Sequence, residues 1–205
     1  MKWTFAKYRR LSIDREFCII SNNCWGAHVY QYAGRPYNTP FVGLFLYPEC
    51  YLELLGDFRK LIGGTLEFQS GSKYGSDPIR GFIPGQGYPV ALLGGRIEIH
   101  FLHERSSVEA MEKWERRVKR IPASDDFLRV KFCDRDHPSE SQVRDFGKLS
   151  HLQKVYFSAS PHKIIADQVT IPAEQGCSTV ADGLALSRIS CGFFNEYRWV
   201  IGERV

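Results

Sequence analysis

Cys24 is the residue of this sequence best placed to act as a nucleophile. It follows the apolar run Phe17-Cys18-Ile19-Ile20-Ser21, which reads as a buried strand, and it opens a segment of helical character over about residues 24–33 that Gly34 and Pro36 bring to a stop. A thiol in the first turn of a helix faces unsatisfied backbone N–H groups, which favour the thiolate. A nucleophile of this kind needs a base, and the base needs an acid to orient it. His103, after a later strand-like run, is the candidate base, and Asp134, after another, the candidate orienting acid. Asn22, Asn23 and Trp25 flank the thiol and are candidates for contacting a substrate. The plainer reading of Cys24 is a small residue filling a helix–sheet contact.

The other thiols and imidazoles offer less. Cys18, Cys50 and Cys133 lie inside apolar runs and are expected to be structural. His28 stands one helical turn beyond Cys24, a spacing that permits a shared face. His100 alternates with Glu98 against Ile97, Ile99 and Phe101, the pattern of a packed or surface histidine.

Asp134-Arg135-Asp136 permits a different chemistry. Two carboxylates two residues apart in a loop can hold Mg²⁺ or Mn²⁺ against the diphosphate of a nucleotide sugar; solvated loop carboxylates are the alternative. Among the basic residues at 113–120, Arg117 borders the apolar stripe of its helix, so it is expected to be partly buried and to need an anionic partner, in the protein or in a ligand. The others are expected to form a solvated face.

These residues need a scaffold that brings strand ends together. Strands are expected over residues 17–21, 41–46, 65–69, 88–93, 96–102, 128–133, 154–158 and 186–190, with Gly94-Gly95 as a hairpin turn. Helices are expected over residues 24–33, 48–62, from Ser106-Ser107-Val108-Glu109 to about 121, and over 138–149. An aromatic-rich closing helix with Phe193, Phe194, Tyr197 and Trp199 ends the chain. Residues 70–87, rich in glycine, read as a loop or lid. Alternation of this kind predicts an α/β fold: an open, mainly parallel sheet with helices on both faces and one antiparallel hairpin element. In such sheets ligands bind beyond the carboxyl ends of the strands, where Cys24, His103, Asp134 and Ser158-Ala159-Ser160 all fall.

Composition sets outer bounds. The 205 residues, 43% hydrophobic, are expected to form one domain over 1–205, with 159–205 as a less readable closing segment. Lysine and arginine exceed aspartate and glutamate by 27 to 23, too little to argue for nucleic acid. No stretch is apolar enough to span a bilayer, and the charged start lacks a signal-peptide core, so a cytoplasmic location is expected. The six cysteines are scattered without a C-x-x-C pair, which favours free thiols and argues against a structural zinc.

Four segments carry a resemblance: Ile20-Ser21-Asn22-Asn23-Cys24-Trp25-Gly26, Tyr37-Asn38-Thr39-Pro40-Phe41-Val42-Gly43-Leu44-Phe45, Phe101-Leu102-His103, and Trp114-Glu115-Arg116-Arg117-Val118-Lys119-Arg120-Ile121. Together they resemble a bacterial domain family of unknown function whose members are labelled exopolysaccharide biosynthesis proteins, over about residues 17–158. That resemblance implies an α/β fold, a glycan precursor or nucleotide sugar as ligand, and contact with membrane polysaccharide machinery. A fainter likeness, to a family of proposed papain-like cysteine peptidases, falls on Cys24, His103 and the helix with Arg116, Arg117 and Arg120; Glu104 stands where such relatives are expected to carry an aromatic residue or an aspartate. Three functions therefore stay open. One is a thiol enzyme of acyl transfer or hydrolysis that needs no cofactor. The second is a sugar transferase that uses Mg²⁺ or Mn²⁺. The third is a non-catalytic assembly factor.

Overall fold

The computed structural model describes residues 15–76, 87–149, 152–162 and 164–203. Its strands in chain order are β1 (Cys18–Ser21), β2 (Leu66–Gln69), β3 (Val90–Leu93), β4 (Ile97–His100), β5 (Leu128–Cys133), β6 (Gln153–Ser158) and β7 (Gln168–Thr170). The helices are α1 (Ala27–Tyr32), α2 (Pro48–Gly56), α3 (Phe58–Leu61), α4 (Ser107–Val118), α5 (Glu140–Lys148), α6 (Gly183–Ser190) and α7 (Glu196–Val200).

Strands β1, β5, β6 and β7 form, in that order, a four-stranded sheet in which every neighbouring pair is parallel. Alternation along these strands feeds two cores. Cys18, Ile20, Leu128, Val130, Phe132 and Tyr156 point to one face, where α2, α4 and α5 pack with Tyr51, Trp114 and Phe146. Phe17, Ile19, Cys133, Val155 and Phe157 point to the other, which α1, α6 and α7 cover with Val29, Leu186 and Trp199. A sheet buried on both faces is what near-continuous apolar strands require. The fold is thus α/β, as composition and alternation predict. Among the described residues, no helix is long and apolar enough to cross a membrane.

The antiparallel element is larger than a hairpin appended to this sheet. Strands β2, β3 and β4 make a separate three-stranded sheet, and Leu66, Ala91, Leu93, Ile97 and Ile99 join the first core. The expected strand at 41–46 is reduced to one bridge, Phe45 with His100. Its residues are apolar because they are buried, but Gly43 at φ +82° turns the chain and prevents an extended run. That turn becomes a staple: Phe45 exchanges two 2.9 Å backbone hydrogen bonds with His100, and the Leu46 N–H donates to the Asn22 carbonyl at 2.9 Å. It ties the end of β4 to the chain leaving β1.

Other expectations also change. The helix expected over 48–62 breaks at Asp57, whose φ of −142° is not helical. Residues 186–190, expected as a strand, lie in α6; Asp182 caps that helix by accepting the Gly183 N–H, and an apolar run this short has no period that separates strand from helix. The most regular elements match closely. Helix α4 starts on Ser106, whose hydroxyl accepts the Glu109 N–H, and α5 starts on a full capping box between Ser139 and Gln142. Of the expected lid, 77–86 lie outside the described residues, while Ser72 and Lys73 are anchored on the Glu98 carboxylate.

Candidate functional site

The chain leaving β1 is held open at one thiol. Asn23 is buried, and its Oδ1 accepts from Ser21 Oγ at 3.3 Å, the Trp25 N–H at 3.3 Å and Lys131 Nζ at 2.9 Å. Trp25 is buried in the second core, and its indole N–H donates to Ser190 Oγ at 3.3 Å. Cys24, between these two anchors, keeps partial exposure. Gly26 then reverses the chain at φ +100°, where a Cβ would come within 2.8 Å of Ile19 Cγ2.

This geometry corrects the expected position of Cys24. Helix α1 begins only at Ala27, after Gly26, so Cys24 precedes the helix and does not occupy its first turn. The helix start that touches Cys24 is that of α6. A Cβ built on Gly183 would lie 3.0 Å from Cys24 Cβ, 3.1 Å from its carbonyl carbon and 3.1 Å from the Trp25 nitrogen. The closing segment, less readable in the sequence, therefore supplies one wall of the site.

His103 approaches from the other sheet. The staple at Phe45 and Leu46 fixes the end of β4 beside the β1 exit, and three residues beyond β4 the imidazole lies over Gly43, where a Cβ would stand 3.4 Å from His103 Cβ and Cδ2. The result is a distance of 3.4 Å between Cys24 Sγ and His103 Nε2, within hydrogen-bond reach for sulfur. Two residues 79 positions apart meet at the exposed rim of two sheets.

Asp134 is not part of this contact. Its Oδ2 accepts from the Ala159 N–H at 2.7 Å and its Oδ1 from the Val180 N–H at 2.8 Å. Burial pushes its carboxyl above the ordinary aspartate range, against the pull of these two N–H groups. The expected orienter instead clips the exits of β5 and β6 to the segment that leads into α6. Among the described residues, no acid hydrogen-bonds the His103 ring. Asp136 faces elsewhere, accepting from Asn22 Nδ2 at 2.5 Å. Both candidate metal ligands are thus engaged with the protein, and among the described residues no group of three or more histidine, cysteine, aspartate or glutamate side chains is arranged to hold a metal ion.

Of the candidate substrate contacts, Asn22, Asn23 and Trp25 are all buried and serve to shape the Cys24 loop. Arg117 donates from Nη1 to the Val42 carbonyl at 3.0 Å, and its guanidinium lies 5.3 Å from the centre of the Tyr37 ring. It is partly shielded as expected: burial lowers its proton affinity, and the Glu104 carboxylate works in the opposite direction.

Two other histidines have separate partners. His28 pairs with Glu196 at 2.9 Å, not with Cys24, and Glu196 also accepts from Ser190 Oγ at 2.7 Å. His100 is fully buried and meets Glu98 at 2.7 Å. Sequence reasoning missed Lys131, Gly43, Val180 and Gly183. Two of them left a signal: Arg129 and Lys131 alternate against Leu128, Val130 and Phe132 in a strand read as buried, and Asp182-Gly183 is a helix-start pair.

An uncharacterised protein of Haemophilus influenzae is 33% identical to the chain over 154 residues, which cover 75% of this chain and 67% of that protein. Residues 1–197 match the model of the family described as Domain of unknown function (DUF1919), and the chain belongs to that family.

Proposed function

We propose that this protein is a thiol-dependent enzyme of acyl transfer or hydrolysis, with Cys24 as nucleophile and His103 as its base. The observation that carries this reading is the 3.4 Å approach of Cys24 Sγ to His103 Nε2 at the rim of the sheets. In the proposed cycle, His103 takes the thiol proton and the thiolate attacks the carbonyl carbon of an ester, thioester or amide. The imidazolium then returns that proton to the leaving group. Water or an acceptor hydroxyl, deprotonated by the same imidazole, resolves the thioester. The start of α6 packs on the Cys24 backbone, with its Gly183 N–H held by the Asp182 carboxylate. We place the substrate among surface-glycan precursors, handled in the cytoplasm beside membrane polysaccharide machinery; this part rests on the four-segment resemblance alone.

The nucleotide-sugar reading fits the geometry less well. Asp134 would have to surrender two backbone N–H partners, and Asp136 its bond to Asn22, before the pair could bind Mg²⁺ or Mn²⁺. The deciding experiment is the pH dependence of iodoacetamide alkylation at Cys24, read by mass spectrometry in the wild type and in His103→Ala. A midpoint well below the ordinary thiol value of about 8.5 that rises in the variant supports the pair. Slow alkylation with an unchanged midpoint in both proteins rejects it.

A further inference from the structure

Lys131 is the most anomalous residue of the main sheet. It lies in the middle of β5, between Val130 and Phe132, and is fully buried. An ammonium group in such a place is costly unless an anion compensates it. Among the described residues, Lys131 has no ion pair; its Nζ reaches Asn23 Oδ1 at 2.9 Å and Cys133 Sγ at 3.0 Å. Asn23 Nδ2 also donates to Cys133 Sγ, at 3.4 Å. Burial pushes the Cys133 thiol up despite the opposing pull of Lys131, so the sulfur stays a neutral acceptor and does not cancel the charge.

We infer that Lys131 is a positioning residue for Cys24, holding its loop through Asn23 and biasing the thiol toward the thiolate by a buried positive charge. The inference rests on the thiol reading proposed above. The relay is short: the Asn23 oxygen that accepts from Lys131 also accepts the Trp25 N–H, so one atom links the amine to the backbone on both sides of Cys24. Tyr51 fixes the strand that carries Lys131, donating its hydroxyl to both the Ile20 and Lys131 carbonyls at 2.9 Å. An ammonium at Lys131 acts through low-dielectric surroundings on both thiols near it, Cys133 in direct contact and Cys24 across the hydrogen bonds of Asn23. Among the described residues, the titratable groups placed around the loop include His103 beyond β4, in contact with the thiol, Lys131 and Cys133 on β5, Asp182 at the start of α6, and Asp136 through Asn22. Lys131 is the one cation among them that sits beneath the loop.

The test is the Cys24 alkylation profile in Lys131→Met, which keeps the length of the side chain and removes its charge. The midpoint is expected to rise by about one pH unit, so that below it Cys24 reacts roughly tenfold more slowly. Asn23→Ala breaks the relay but keeps the charge; it is expected to change the rate at every pH and leave the midpoint in place. An unchanged midpoint in Lys131→Met, with His103→Ala still shifting it, overturns the role of Lys131 alone. No shift in either variant overturns the thiol reading together with it. Should Lys131→Met fail to fold, the ¹³Cε resonance of Lys131 in the wild type decides: a neutral amine at pH 7 overturns the inference, and an ammonium throughout the Cys24 titration supports it.

Discussion

Replacing Gly183 by alanine pits two effects of known size against each other. Gly183 is the first residue of α6, where alanine gains up to about 1 kcal/mol of helix propensity over glycine. The added methyl, however, would sit 3.0 Å from Cys24 Cβ and 3.1 Å from two backbone atoms of the Cys24 loop, tighter than most real Cβ contacts. Overpacking of this kind costs about 1–3 kcal/mol, so the net effect is a loss of about 0–3 kcal/mol. For a chain of this size each kcal/mol moves Tm by roughly 2–4 °C. Gly56→Ala is the control. Gly56 is also helical, at the exposed end of α2, but its added Cβ meets nothing within 4 Å, so it gains up to about 1 kcal/mol with no clash. Thermal melts by circular dichroism should therefore move in opposite directions for the two variants. The Cys24 loop also has to give by a few tenths of an ångström in Gly183→Ala. Against the hundredfold that about 1 Å of misplacement can cost, this predicts alkylation of Cys24 slowed several-fold in that variant only. A Gly183→Ala protein with a raised Tm and wild-type alkylation would refute the tight packing of α6 on the Cys24 loop.

Three further outcomes follow from the same geometry. Asp134→Asn leaves one of two N–H donors, from Ala159 or Val180, facing an amide in place of a carboxylate oxygen, and urea denaturation should show a loss of about 1–3 kcal/mol; a neutral result would contradict the clip. Glu196→Ala strands His28 and Ser190 in the second core and should cost about 3–5 kcal/mol by the same assay, with a loss below about 1 kcal/mol counting against the buried pair. For Glu98, burial raises the carboxyl's proton affinity, but hydrogen bonds from His100, Ser72 and Lys73 outweigh it and hold the carboxyl below its ordinary value of 4.5. A depressed folded-state value means that its contribution is complete above pH 4.5 and is lost as pH falls through the folded value, so acid titration of stability should be shallower in Glu98→Gln; identical slopes would sink that account.

Local patterns in the sequence were sufficient wherever the determinant was itself local. The capping signals of α4 and α5 lie within four residues of each helix start, and the turn at Gly94-Gly95 needs only positive φ. The apolar strands β1, β5 and β6 announced a sheet buried on both faces, and with it the rim at which Cys24 and His103 would matter. What remained illegible had non-local causes. Whether 41–46 is a strand depends on a turn at Gly43 that fits under His103, and whether 183–190 is a helix depends on the face it covers. The role of Asp134 could not be read because its partners, Ala159 and Val180, lie 25 and 46 residues away.

The sequence by itself determined the α/β class, the strand exits and the residue types able to do chemistry, because alternation, capping and composition act over a few residues. Only the tertiary structure decided which of those residues meet. The staple at Phe45 and Leu46 brings His103 to Cys24, while backbone N–H groups from distant loops draw Asp134 away. Packing from the closing segment sets Gly183 against the Cys24 loop, and burial turns Lys131 from a strand residue into the amine that holds Asn23 beneath it. These are contacts between residues far apart in the chain, and no short-range pattern encodes them.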